Sequence, residues 1–141
     1  MHINYDTKLK HNADFKVIYR FYDANEGGRQ TTPRQGYRSD FWYDNPEHSG
    51  TNQIFMIWPE FEDENGIVIT DTDKHISRTG KARMWIMAPK MRSYHKDKIK
   101  VSLKGFFMEG GTRVAECEVI EMVDLLINPR EPIEVKGRLY D

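Results

Sequence analysis

The sequence predicts an all-β fold, a single antiparallel β-barrel of about six to eight strands. Three observations lead there. Apolar residues recur with period two in several segments, Gly, Pro and polar clusters separate those segments, and no segment carries a sustained 3.6-residue apolar stripe. A chain of 141 residues favours one domain. At that size a core closes without disulfides or a metal, and barrel closure removes vulnerable strand edges.

Residues 13–22 place Phe15, Val17, Tyr19 and Phe21 on one side and Lys16 and Arg20 on the other, which predicts a strand with one buried face. The paired glycines in Asn25–Arg29 then predict a β-arch or hairpin. Tyr37, Phe41 and Tyr43 with Trp42 suggest a second strand, and residues 53–58 a third that Pro59 ends. The acidic stretch 60–66 reads as a solvated turn, with a short strand at Ile67–Ile69 and a polar loop from Asp71 to Arg78. Residues 82–87 form a further strand, stopped by Pro89.

Lys98–Lys104 shows the cleanest alternation, with Ile99, Val101 and Leu103 inward and lysines outward, and predicts a half-buried strand. Val114–Met122 sets Ala115, Cys117 and Val119 against Glu116, Glu118 and Glu121. A helical turn over 121–127, a turn at 129–132 and a last strand at 133–136 complete the chain. The expected core contains Phe15, Val17, Phe41, Ile99, Val101, Leu103 and Val119.

With 21 basic and 22 acidic residues the net charge is -1, so no overall field draws the chain to nucleic acid or an anionic membrane, and only a local patch would do so. The lone Cys117 makes no internal disulfide and no zinc site with the scattered histidines; as an inward residue it reads as an inert thiol. The start of the chain lacks a leader pattern and no run of about 18 apolar residues occurs, so a soluble, cytoplasmic protein is expected. No cofactor is implied.

Two separated motifs resemble a known family. The first is Phe15-Lys-Val-Ile-Tyr-Arg-Phe followed by Glu26-Gly27-Gly28-Arg29, Thr32-Pro33, Gly36-Tyr37-Arg38 and the pair Phe41 and Tyr43. The second is Gly105-Phe-Phe-Met-Glu109-Gly110-Gly111-Thr112-Arg113-Val114-Ala115, with Gly80 and Ala88-Pro89 between them. In order and spacing these resemble domain 3, the C-terminal β-barrel, of translation elongation factor Tu. The resemblance covers residues 13–122, leaving 1–12 as an N-terminal extension and 123–141 as a C-terminal one. Thr112-Arg113 reverses the family's Arg-Thr order, Glu116 takes a usually small position, and the middle from Asn45 to Lys98 is longer.

The resemblance implies a binding surface without an engine, because the family's GTPase domain and second barrel have no counterpart. Gly80-Lys81 does not supply a phosphate loop, since Ala82 follows where Ser or Thr is needed. In the family this barrel contacts the T stem of aminoacyl-tRNA, packs on the GTPase domain and meets the exchange factor. The expected function is therefore a non-enzymatic, translation-related binding module that docks to tRNA or a protein partner. The alternatives are an immunity or regulatory mimic of the elongation-factor domain, and an RNA-binding module independent of translation.

The candidate contact residues are Arg29, Arg34, Tyr37 and Arg38 in one loop, with Gly110, Gly111 and Arg113 at the second turn. Guanidinium forks suit phosphate oxygens and tyrosine suits a sugar or base. Equally, such arginines pair with Glu26 or Asp40 and cover aromatic rings. Lys90, Arg92, His95, Lys96, Lys98 and Lys100 form a second basic concentration, read either as an RNA-binding stripe or a solvated strand face. Asp71-Thr-Asp73 lacks the glycine and closing glutamate of a calcium loop. Glu60, Glu62, Asp63 and Glu64 would matter to chemistry only if one were buried and partnered. Three tryptophans, Trp42, Trp58 and Trp85, exceed what a small barrel core holds, so one is expected at an interface with a protein partner or a second copy.

Overall fold

The computed structural model describes residues 1–48, 53–131, 133–135 and 138–140. Six antiparallel strands form one sheet: β1 (Phe15–Phe21), β2 (Asp40–Tyr43), β3 (Ile57–Phe61), β4 (Thr79–Ile86), β5 (Lys104–Glu109) and β6 (Thr112–Met122). Their order is β2-β5-β6-β1-β4-β3, which puts the most strictly alternating strand, β1, at the centre. The sheet curls into a half-barrel. Its edges meet at one reciprocal bridge, where Phe41 N–H donates to Phe55 O at 2.9 Å and Phe55 N–H to Phe41 O at 2.8 Å. The all-β, barrel-like fold expected from the sequence is thus present. A second pair, β7 (Ile133–Val135) and β8 (Arg138–Tyr140), forms a hairpin where one last strand was expected.

The concave interior takes alternate residues from every strand. Phe15, Val17, Phe21, Phe41, Tyr43, Phe61 and Phe107 are sealed from solvent, and their rings meet edge-on or tilted, as aromatic quadrupoles prefer. Cys117 is buried beside them, and loss of solvation pushes its thiol pKa up.

One buried ionic staple ties four segments together. Arg92 Nε donates to Asp14 Oδ1 at 2.8 Å, and its Nη atoms donate to the carbonyls of Pro129 at 2.7 Å and Ile86 at 3.0 Å. Asp14 also accepts from Ile86 N–H and Asn128 Nδ2. Such a pair is satisfied only as a set, so removing one member strands a buried charge.

Several expectations fail, each for a reason visible in the structure. Residues 98–103 are not a strand, and Lys104 only opens β5: two 3-10 and α turns, Pro89–Met91 and α2 (Arg92–His95), run into them, and Ile99 N–H donates to His95 O. Ile99 is buried, but Val101 is exposed and Leu103 only partly covered, so neither is core as expected. Alternation of lysine and aliphatic residues fits a turn equally well when only one apolar side chain is anchored. The basic concentration therefore lies largely on these turns, with Arg92 and His95 buried, and it is neither a stripe nor a strand face.

Tyr37 lies before β2, outside it. Pro59 sits inside β3 without ending it, which the sheet edge permits because no inner neighbour needs its missing N–H. Residues 67–69 contribute only a bridge from Val68 to Glu62. Asn25–Arg29 is not a hairpin, since β1 pairs with β4 and β6; instead a 3-10 turn over Ala24–Glu26 begins the crossing to β2. The stretch 60–66 is only half solvated, for Glu60 and Glu62 are buried.

Candidate functional site

The two glycine turns lie at the open ends of β1 and of the β5–β6 hairpin. Asp23 and Glu26 form a reciprocal capping box around the first 3-10 turn. Gly28 follows where a Cβ would stand 2.3 Å from the Tyr22 carbonyl oxygen, so the chain passes there only without a side chain. At the second turn Gly110 has φ +59, the left-handed region glycine adopts freely, and Gly111 has open space around it.

Arg29 leaves the first turn and reaches the second. Its Nη1 donates to Glu109 Oε2 at 2.6 Å, its Nε donates to Thr31 O, and its guanidinium lies 5.4 Å from the Tyr37 ring centroid. Tyr37 donates its hydroxyl to the same Glu109 oxygen. Desolvation, then this carboxylate, push the Tyr37 phenol pKa up, so it stays a donor. Glu109, eighty residues from Arg29 in sequence, thus gathers both candidates and gave no signal by spacing.

A row of outward side chains crosses the sheet beside this cluster. Strand register aligns Trp42 with Phe106, Phe106 with Glu116, and Glu116 with Arg20. Arg113 lies over this row, 3.9 Å from the Phe106 ring centroid and 5.2 Å from that of Trp42. Arg20 donates to Glu26 at 2.9 Å and to Glu116 at 2.8 Å. Its hydrogen bond, followed by that of the Asp23 backbone, holds the Glu26 carboxyl below its ordinary range.

The expected arginine loop is divided. Arg29 and Tyr37 come together with Gly110 and Gly111 close by, whereas Arg38 stacks 5.0 Å from the Trp58 ring centroid. Arg34 is exposed, and its backbone bridges His75. Arg34, Arg38 and Arg113 make no ion pair among the described residues. The tryptophans separate likewise: Trp85 is sealed from solvent, while Trp42 and Trp58 are partly exposed under arginines. Phe106 and Arg20 were not singled out as contact residues from sequence, and Trp42 only as one of three tryptophans of which one was expected at an interface. The signal for Trp42 and Phe106 was their position opposite Phe41 and Phe107 in strands of period two.

Among the described residues no group of His, Cys, Asp or Glu is arranged to hold a metal ion, and no helix is long and apolar enough to cross a membrane. Compared with known proteins, the chain matches no family model and no curated protein.

Proposed function

We propose that this protein is a non-enzymatic, translation-related binding module that docks on a protein partner through the Trp42–Phe106–Arg113 face and the adjoining Arg29–Tyr37–Glu109 cluster. The carrying observation is where the guanidiniums go. Arg29 is committed to Glu109 and Arg20 to Glu26 and Glu116, so carboxylates already hold the cations that phosphates would need. Arg113 instead sits over the Phe106 and Trp42 rings. Partly exposed tryptophan, tyrosine and arginine are the residue types in which protein-binding energy concentrates, and three carboxylates beside them repel a polyanion. The resemblance of residues 13–122 to the elongation-factor barrel supports the translation-related part of the proposal.

Arg34 and Arg38 favour a second reading, tRNA binding, because both are exposed and free of carboxylates among the described residues. Capture from an extract of the native cells, with and without nuclease, separates the two. A protein partner predicts nuclease-resistant recovery of one defined protein that Trp42→Ala with Arg113→Ala abolishes. Nuclease-sensitive recovery of tRNA, lost in Arg34→Ala with Arg38→Ala, replaces that reading with the second.

A further inference from the structure

The chain covers only part of the sheet's outer face. The short helix α1 (Tyr5–Leu9) lays Tyr5 and Leu9 against Trp85 and Met87 at one end of β3 and β4. Over the middle of the sheet, where β6, β1 and β4 run side by side, Ile18 is 48% exposed and Lys81 and Glu116 are exposed with it. Strand register sets Lys104, Glu118, Ile18 and Lys81 in one row across β5, β6, β1 and β4. Lys81, Lys104 and Glu118 make no ion pair among the described residues. All four border an open depression of about 730 Å³. The row on one side is Glu121, Lys16 and Arg83, and on the other Glu116, Arg20 and Thr79.

We propose that this face pairs with the same face of a second copy of the chain, about a two-fold axis that runs along β1. Such an axis reverses the order of each row. Ile18 then meets Ile18 of the second copy, and Lys81 meets Glu118 on either side of it. The neighbouring rows agree, since Glu121 meets Arg83 and Glu116 meets the Thr79 hydroxyl. Lys16 and Arg20 meet their own counterparts, but each already holds a carboxylate within the chain, Lys16 that of Glu62 and Arg20 those of Glu26 and Glu116. An axis laid along the row instead sets Lys81 on Lys81 and Glu118 on Glu118, so the charge pattern selects the first arrangement. Two curled sheets touch with their convex sides along the central strands only. The contact is therefore at the small end of specific interfaces, and salt weakens it. Trp42 stands outside it on the edge strand β2, two strands beyond β6. The pairing does not rest on the Trp42–Arg113 docking face, and each proposal can fail alone.

The test is sedimentation velocity on the purified full chain at low salt, from about 10 μM to about 1 mM, the span over which a weak interface fills. The expected mass rises with concentration toward that of a dimer and falls back when salt is added. Lys81→Glu alone and Glu118→Lys alone should each weaken association roughly tenfold or more, because each sets two like-charged pairs across the axis. Mixing the two variants should restore the dimer, since every such pair is then opposite in sign. Three results overturn the proposal: a wild-type chain that stays monomeric throughout, a dimer indifferent to salt or to the single reversals, and a mixture of the two folded variants that stays monomeric. The wild-type concentration and salt series decides without any variant, and circular dichroism of each variant shows that its sheet is kept.

Discussion

The outer surface of one sheet is handled in two ways. Over β3 and β4, Trp85 is sealed beneath α1 and its indole N–H is held by a buried glutamate. Over β2 and β5, Trp42 and Phe106 lie at the surface with the Arg113 guanidinium above them. The first tryptophan is bound to the chain's own stability, whereas the second keeps area that a partner can bury. A guanidinium over a ring is a cover that lifts at little cost, since an exposed cation–π contact contributes only about 0.5–1 kcal/mol.

Stability measurements break this contrast most directly. Trp85→Ala is expected to lower unfolding free energy by about 3–5 kcal/mol, the range for large buried aromatics, while Trp42→Ala lowers it by about 1 kcal/mol. Urea titration followed by circular dichroism checks both; equal losses would erase the distinction between the two faces. Next in size is Glu60→Gln, for which about 1–3 kcal/mol is expected because the retained amide oxygen replaces only part of the acceptor set. The same titration reads it.

Arg113→Ala sharpens the comparison from the open side. Its effect on stability should stay within about 0.5 kcal/mol, while recovery of the protein partner falls. The smallest effect concerns Glu26. Its folded pKa is depressed by Arg20, so its contribution to the first turn is present above the ordinary carboxylate range and is lost as pH falls through the depressed value. Side-chain NMR titration should show Glu26 protonating at lower pH than a free glutamate, and Arg20→Ala should raise it toward the ordinary range, short of it by the part the Asp23 backbone bond retains.

What was legible in the sequence follows the distance over which each feature is decided. β1 and β6 stand in plain view because strict alternation settles a strand's buried face locally, and Cys117 was placed inward on that ground alone. Lys98–Lys104 misled because the same alternation served a turn packed on α2, with Ile99 as its only buried anchor. Glu60 looked solvated because its donors, His2, Tyr5 and Trp85, lie 58, 55 and 25 residues away. Glu62 is alike, buried by Lys16 and Arg83. Period two puts Trp58, Glu60 and Glu62 on one face, so those two acids do not belong to a solvated turn. Of the candidate arginines, Arg29, Arg38 and Arg113 lie over rings, and the expected pairing with Glu26 or Asp40 differs: Glu26 took Arg20, and Arg29 went to Glu109.

The central claim, that the Trp42–Phe106–Arg113 face is where a protein partner docks, is tested most directly by residue-resolved footprinting. The chain is exposed to hydroxyl radicals alone and in a nuclease-treated extract of its native cells, and side-chain oxidation is read by mass spectrometry. Protection of Trp42 and Phe106 in the extract, with Trp85 equally shielded in both conditions, is the predicted result. Unchanged oxidation of Trp42 and Phe106, in an extract from which the chain nevertheless recovers a protein, would contradict it.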